Sequence, residues 1–409
     1  MTYKHYLHIL EYFKGIAKGT KWEGHLYAVG GCVRDEMLGS EINDIDIAVD
    51  VPNGGILFTR WLQRRRQLSG MPVFFHKFGT AKLRLRRFPN DEIELVQTRA
   101  EQYTDKTSRC PEVVSGDIRQ DCFRRDFTVN TLYRNISTGE ILDMTGRAVH
   151  DIREGILRTP LDPYETFDDD PVRILRCLRF AARFGWKIDP TTMEALEASI
   201  ARLAIVSRER WGAEFKKMLF GRNVRQSLGE LARTGGFSYM NPLIREMASK
   251  HPYDGEKSVL DMGIEDAARL EEEGVDDEAR RLAAFFGYAG MIRAGVRDRS
   301  GALRYPRHEI TGAAMAQRFM KHIGIPKETC DEAAAIILEK GERRRLEERQ
   351  QKIDSHRRLQ QQQHEARLAR KREKAALQEA TQTEAPTKRK KRRTRIRTRT
   401  SEQLRIAPA

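Results

Sequence analysis

The sequence predicts an α+β chain: a head built on a small β-sheet, an all-helical neck and body, and a disordered basic C-terminal tail. Three observations carry that expectation. Between residues 25 and 145, short β-type runs alternate with turn signals. From about Asp168 onward strand signals disappear and apolar residues recur at helical spacing. From Glu342 to the end, large apolar residues become scarce while Lys and Arg accumulate. The boundaries that follow are 1–165 for the head, 166–225 for the neck, 226–341 for the body and 342–409 for the tail.

Taken in order, the N-terminal run MTYKHYLHILEYFKGIAKG lacks a continuous apolar stretch and carries Glu11 but no arginine. It reads as an amphipathic helix rather than a signal or transit peptide. Residues 26–29, 45–49, 73–75, 81–85 and 93–96 read as strands. Gly30-Gly31, Pro52-Asn53-Gly54-Gly55 and Pro89-Asn90-Asp91 punctuate them. Residues 56–68 have helical character between two strands, as do 170–184, 192–201 and 208–219 further on. The stretch from 342 to about 378 is charged and Gln-rich, a solvated helix or disorder, and 385–400 (APTKRKKRRTRIRTRT) is of low complexity and disordered when free.

The 409 residues suffice for two or three packed units, and 39% are apolar. No apolar stretch approaches the ~18 residues that span a bilayer, so no membrane is expected. Five cysteines, odd in number and without a CxxC, read as free thiols in a reducing compartment, the cytoplasm. The net charge of +15 is unevenly spread: residues 342–409 hold 22 Lys+Arg against 9 Asp+Glu, and the rest holds 52 against 50. A polyanionic partner is therefore suggested by the tail, with Lys388, Arg389, Lys390, Lys391, Arg392 and Arg393 as candidate RNA contacts.

The segment YAVGGCVRDEMLGSEINDIDIAVD, residues 27–50, holds the densest chemistry. A strand ends in Gly30-Gly31 and a helix is expected to start at Cys32. Two glycines let backbone approach a ligand closely, and a helix N-terminus favours phosphate. Arg34, in the first helical turn, can contact a triphosphate. Asp44 and Asp46 follow at i and i+2 of a strand, so their carboxylates point to one face. Two such carboxylates repel each other unless a cation lies between them, and Mg²⁺ takes carboxylate oxygens together with substrate phosphates. Asp-x-Asp alone also fits an exposed loop or a helix cap; the Gly-Gly-x-x-Arg-Asp run upstream favours the metal.

Gly-Gly-x-Val-Arg-Asp followed by Asp-x-Asp resembles the first motif of the class II polymerase β-like nucleotidyltransferases. That branch contains CCA-adding tRNA nucleotidyltransferases and bacterial poly(A) polymerases. The resemblance implies a small mixed sheet as a nucleotidyltransferase catalytic head, two Mg²⁺ ions on Asp44 and Asp46, and Gly31 and Arg34 at the triphosphate. Glu94, in EIELVQTR, is the candidate third acidic residue.

RRDFTVN, residues 124–130, resembles the family's second motif. Arg125 offers a planar donor fork for phosphate, Asp126 can accept from a ribose hydroxyl and Asn130 can bond the sugar; a helix start with a surface charge pair is the plainer alternative. Asp143-x-x-Gly146 with Asp151-Ile152 fits the flexible third motif, although Arg147 replaces its second glycine, and His150-Asp151 within it is not read as a phosphohydrolase pair. In DDPVRILRCLRFAARF, residues 169–184, Ile174, Leu175, Leu178, Ala181 and Ala182 share one helical face and Arg173, Arg176, Arg179 and Arg183 the other. An ordinary surface helix mixes in Glu, and this one does not. The segment resembles the family's Glu-Asp-x-x-Arg motif, with Asp169 in place of Glu. The resemblance implies that Asp170 accepts from the exocyclic amine of cytosine or adenine while Arg173 donates to the ring, rejecting uracil and guanine, and that Arg176 and Arg179 add nucleotide contacts. VSRERWGAEFKKML, residues 206–219, resembles the next motif, a helix that supports the neck, and the later helices are expected to bind RNA by shape and charge.

The expected function is template-independent addition of CMP, CMP and AMP to the 3′ end of RNA, tRNA foremost, from CTP and ATP with Mg²⁺. The alternative is a poly(A) polymerase. A non-catalytic RNA-binding scaffold is a third class, but it has no need of Asp44 and Asp46, and both are present.

Overall fold

The computed structural model describes residues 1–102, 112–252 and 257–383. Cys110 and the Lys388–Arg393 cluster lie outside the described residues, as does everything from 384 on. The chain divides into two units, Met1–Glu342 and Arg343–Ala409.

The chain opens with α1 (Tyr3–Ala17), whose first turn is capped by the Thr2 hydroxyl accepting from the His5 amide at 3.4 Å. Tyr6, Ile9, Leu10 and Phe13 recur at helical spacing and are buried. The central sheet is built from β1 (Leu26–Val29), β2 (Ile45–Val49), β3 (Val73–Phe75), β4 (Thr80–Leu85) and β5 (Phe88–Gln97). After β6 (Arg99–Gln102) and β7 (Glu112–Ser115), which pair with each other, it is completed by β8 (Tyr133–Asn135) and β9 (Ile141–Leu142). The order is β3-β4-β5-β2-β1-β8-β9. Only β2 and β5 run parallel, so the sheet is mixed.

Alternation along β2 sets the two faces. Ile45, Ile47 and Val49 enter the main core, which also holds Phe13 of α1 and Phe58 of α3 (Gly54–Arg64). Ala48 faces the other way and packs with Tyr27, Val29, Cys122 and Tyr133. Asp46 lies on that second face by the period of two. Asp44 precedes the strand by one residue, since β2 begins at Ile45 rather than at the aspartate.

The helix read at 56–68 is shorter than its pattern. Arg66 takes φ 56°, a left-handed conformation that ends α3, and Leu68 instead bridges Leu85. The helix after the glycine pair, α2 (Gly31–Met37), begins one residue earlier than expected. Gly30 before it has φ 73°, and a Cβ there would stand 3.0 Å from Arg125 Nη1, so a side chain is disfavoured on both counts.

Then come α4 (Ile118–Phe123), opened by a capping box of Asp117 and Gln120, and α5 (Ala148–Glu154). Five helices come next: α6 (Pro163–Asp169), α7 (Val172–Phe184), α8 (Pro190–Ser199), α9 (Arg208–Leu219) and α10 (Val224–Arg233). Strands do not vanish after Asp168, as the sequence suggested: two-residue pieces persist at Lys187–Ile188, Val296–Arg297 and Leu303–Arg304, too short to show a period. The same unit continues with α11 (Pro242–Ser249), α12 (Val259–Glu272), α13 (Glu278–Phe286), α14 (Met291–Ala294) and α15 (His308–His322). Phe215 meets Phe285 at 5.3 Å and Phe319 at 5.9 Å, so α9 shares its core with α13 and α15. Finally α16 spans Lys327–Thr383, so the part of the tail from 342 to 383 takes the helical alternative. No described helix is long and apolar enough to cross a membrane.

Candidate active site

A cleft of about 1440 Å³ in the first unit is lined by Gly30, Gly31, Arg34, Asp44, Asp46, Arg125, Asp126, Asn130, Arg176 and Arg179. These residues come from four separate stretches of sequence. A second cavity of about 850 Å³ shares Asp46, Arg125, Asp126 and Arg176 with the first, and adds Glu94, Asp170 and Arg173.

The carboxylates sit at the sheet. Parallel pairing sets Glu94 of β5 in register with Asp46 of β2, and Asp44, exposed, stands two residues before Asp46. Burial, then Glu94, then Asp44 push the Asp46 carboxyl up to about 6, although Arg125 and Lys82 pull the other way. Lys82 Nζ lies 3.7 Å from Glu94 and 3.1 Å from Glu92. Among the described residues no three His, Cys, Asp or Glu side chains close into a metal cluster. Asp44, Asp46 and Glu94 are instead an open carboxylate set whose mutual repulsion a cation relieves. That donor set suits a hard divalent ion that keeps water and substrate oxygens as its other ligands.

Arg34 is buried and already engaged. Nε donates to Asp35 Oδ1 at 2.8 Å, Nη1 donates to Asn130 Oδ1 at 2.7 Å, and the guanidinium lies 4.8 Å from the Phe184 ring. Asn130 Nδ2 donates onward to Asp126 Oδ1 at 3.0 Å. Asp126 Oδ1 also accepts from the Phe127 amide at 2.9 Å, and Oδ2 accepts Arg176 Nε at 2.8 Å and Nη2 at 2.6 Å. All four acceptor positions of Asp126 are therefore taken, and it is not the free ribose acceptor that the sequence suggested. Burial opposes ionisation of Asp126, but the charge of Arg176 and the hydrogen bonds from Asn130 and Arg176 outweigh it and hold the carboxyl down at about 2.

The arginine face of α7 is not bare. Arg179 Nε donates to Glu214 Oε2 of α9 at 2.6 Å, with both side chains buried. Arg173, also buried, donates through Nη1 to the Thr166 carbonyl at 3.2 Å and through Nη2 to the Arg124 carbonyl at 2.7 Å. Compensation absent from the helix itself arrives from other elements. Asp170 Oδ2 accepts from Arg210 Nη2 at 2.6 Å and Oδ1 from the Val172 amide at 3.2 Å, leaving each oxygen one further acceptor position.

Three participants escaped the sequence. Asp121 is fully buried and binds Arg124, Arg125 Nη2 at 2.9 Å and the Tyr133 hydroxyl. Burial works against its charge, yet Arg125 and Arg124 hold it well below the usual carboxylate range. Its signal was present as Asp-x-x-Arg-Arg, the helical i, i+3 and i+4 spacing that pairs charges. Glu214 and Arg210 fall within 206–219, but nothing in their spacing names partners about forty residues away.

Residues 26–158 match the family described as "Poly A polymerase head domain", and residues 185–247 match "Probable RNA and SrmB- binding site of polymerase A". A mitochondrial CCA tRNA nucleotidyltransferase of Saccharomyces cerevisiae is 38% identical over 210 residues, which are 48% of this chain and 38% of that protein. A CCA-adding enzyme of Staphylococcus epidermidis is 28% identical over 260 residues, 63% of this chain and 61% of that one. The chain thus spans less than two thirds of either relative. A solved CCA-adding enzyme, in an apo form, superposes with a TM-score of 0.57 at 24% identity, covering 82% of this chain and 81% of that one, which is a likeness of fold. Through residues 26–158 and 185–247 the chain is thus similar to the poly A polymerase head and its RNA-binding neighbour, and over about half of its length to proteins named CCA tRNA nucleotidyltransferase and CCA-adding enzyme.

Proposed function

We propose that the chain is an RNA nucleotidyltransferase that adds CMP, CMP and AMP from CTP and ATP to the 3′ end of tRNA. The observation that carries this is the sharing of one cleft by the Asp44–Asp46 carboxylates and the Arg34–Asn130–Asp126–Arg176 chain of hydrogen bonds. A carboxylate set suited to a divalent ion beside donors suited to a nucleotide is what phosphoryl transfer requires. The names of the relatives, CCA tRNA nucleotidyltransferase and CCA-adding enzyme, support the substrate.

Mg²⁺ held by Asp44 and Asp46, with Glu94 beside them, would neutralise charge on the triphosphate and lower the pKa of the RNA 3′-hydroxyl. That hydroxyl attacks the α-phosphorus and pyrophosphate leaves. Gly30 and Gly31 admit the triphosphate close to backbone, and Arg34 and Arg125 offer it their remaining donors. We assign the sugar contact to Asn130, whose amide keeps one N–H uncommitted, and make Asp126 the positioning residue that aims it. Asp170 and Arg173 read the base from the second cavity, with Arg176 and Arg179 holding that helix against α9. Lys388–Arg393 add affinity for RNA. The free thiols of Cys32, Cys122, Cys177 and Cys330 fit a reducing compartment, and we take it to be the cytoplasm. Fractionation separates this from the mitochondrial location of the Saccharomyces relative.

The test supplies tRNA lacking its 3′ CCA with CTP alone, ATP alone and both. Two C residues, then one A and a stop, support the proposal, and Asp46→Asn abolishes all of it without unfolding the chain. Long A tails on unstructured RNA with no CTP incorporated overturn it in favour of poly(A) synthesis, the activity for which the head family is named.

A further inference from the structure

Two arginine runs that line neither cavity are brought together by the fold. Arg64, Arg65 and Arg66 close α3, and Arg84, Arg86 and Arg87 surround the β4–β5 turn. An isolated antiparallel bridge joins Leu68 to Leu85. The Ser69 amide donates to the Arg84 carbonyl, and the Arg86 amide donates to the Gln67 carbonyl, each at 2.8 Å. All six side chains are exposed.

We propose that this arginine surface on the head is a second RNA-binding site, one that grips backbone phosphates and takes no part in chemistry. Its choice of RNA rests on the activity proposed above. Arg65 lies 4.3 Å over the Trp61 ring and Arg87 5.9 Å over Tyr12, so both guanidiniums are braced by aromatic faces. Acidic neighbours are already committed: Asp91 binds His5 at 2.9 Å, and Glu92 is shared between Lys82 at 3.1 Å and Arg84 at 3.8 Å. Among the described residues no carboxylate pairs with Arg64, Arg65, Arg66, Arg86 or Arg87. The residues before 342 carry 52 Lys+Arg against 50 Asp+Glu, so this concentration stands out from a nearly neutral background. Every basic side chain in the two runs is arginine, whose planar fork matches a phosphate through two parallel hydrogen bonds. Arg86 and Arg87 lie just before β5 begins, about six residues from Glu94 along that strand or roughly 20 Å at ~3.3 Å per residue, and Arg84 is the nearest of the six, two residues along β4 from Lys82, the register partner of Glu94. None of the six lines either cavity.

The experiment compares the full-length chain with one in which all six arginines are changed to glutamine, and with a second in which all six become lysine. Binding of tRNA lacking CCA is followed by fluorescence anisotropy across a salt series. The glutamine variant should bind more weakly, with its log K against log salt slope flattened by ~4–5, since each of six lost phosphate contacts removes about 0.7–0.9. The lysine variant should keep most of the slope, and transfer at saturating RNA should be unchanged in both. An unaltered slope in a folded glutamine variant overturns the proposal. So does loss of retention on phosphatidylserine vesicles with RNA binding unaffected, which would make the surface a membrane contact. If the wild type binds RNA through these arginines but transfers no nucleotide, the activity proposal fails and the site stands.

Discussion

Asp126 accepts four hydrogen bonds inside a buried network, and its ionisation depends on Arg176 more than on any other side chain. The folded carboxyl, at about 2, lies below its ordinary value of 3.8. Its contribution to stability is therefore present above the unfolded value and is lost as pH falls through about 2. Without Arg176 the burial that opposes ionisation is no longer outweighed, and the folded value moves upward. Arg176→Gln should then be destabilised most near neutral pH, where the aspartate is forced to be charged without its partner. The gap in melting temperature between wild type and variant should narrow steadily from pH 7 towards pH 3. Calorimetry across that range checks it, and a gap independent of pH would remove Asp126 from the account. The same network shows what a sequence can and cannot disclose about single residues. The face of Asp46 was legible because a period of two is a local rule, whereas Asp44 falls one residue before the strand to which that rule applies. The occupied acceptors of Asp126 were not legible, because Arg176 is fifty residues away and its direction is decided by how α7 docks.

At the scale of elements, α7 and α9 are held together by a buried ion pair as well as by apolar packing. Leu175 and Leu178 enter the core on one side, while Arg179 meets Glu214 on the other. Removing one partner of a buried pair costs ~3–5 kcal/mol, because the remaining charge stays desolvated. Glu214→Ala should lose roughly that much in denaturant unfolding, and Glu214→Gln, which keeps an acceptor for Arg179 Nε, should lose less. Equal losses would mean that the packing of the side chain matters and its charge does not. The helical period read at 170–184 announced the element and its buried face, although the helix starts two residues later, at Val172 after Pro171. Its arginines were read as a free face because pairing between helices leaves no trace in the spacing of either one. The strands followed the same division. Residues 26–29, 45–49 and 73–75 were legible in full, whereas 80–85 and 88–97 were read short where polar residues such as Asn90 and Asp91 continue the ladder. The helix at 54–64 was read too long, because nothing in Gln-Arg-Arg-Arg-Gln-Leu foretells that Arg66 turns left-handed.

For the whole molecule, charge is divided between a nearly balanced part before residue 342 and a basic part after it. Deleting residues 387–409 removes ten Lys+Arg and one Glu. If the RNA reading holds, the truncated chain should bind RNA more weakly and with a flatter salt dependence, while turnover at saturating RNA survives. An unchanged slope in that binding series would assign the tail to another partner. The connectivity of the head carries a different kind of consequence. Glu94 reaches Asp46 through a long excursion, out along α3, back along β3 and β4, and across a register irregularity between Leu83 and Leu85. Turns on that route can gain or lose residues without disturbing the carboxylates, since only the last stretch of β5 fixes which way Glu94 points. Within that stretch an even change returns the glutamate to the face of Asp46, and an odd one delivers it into the hydrocarbon beside Ile47. What this arrangement guards, then, is parity and not length: the head can drift in size around its carboxylates so long as the count along one strand stays even.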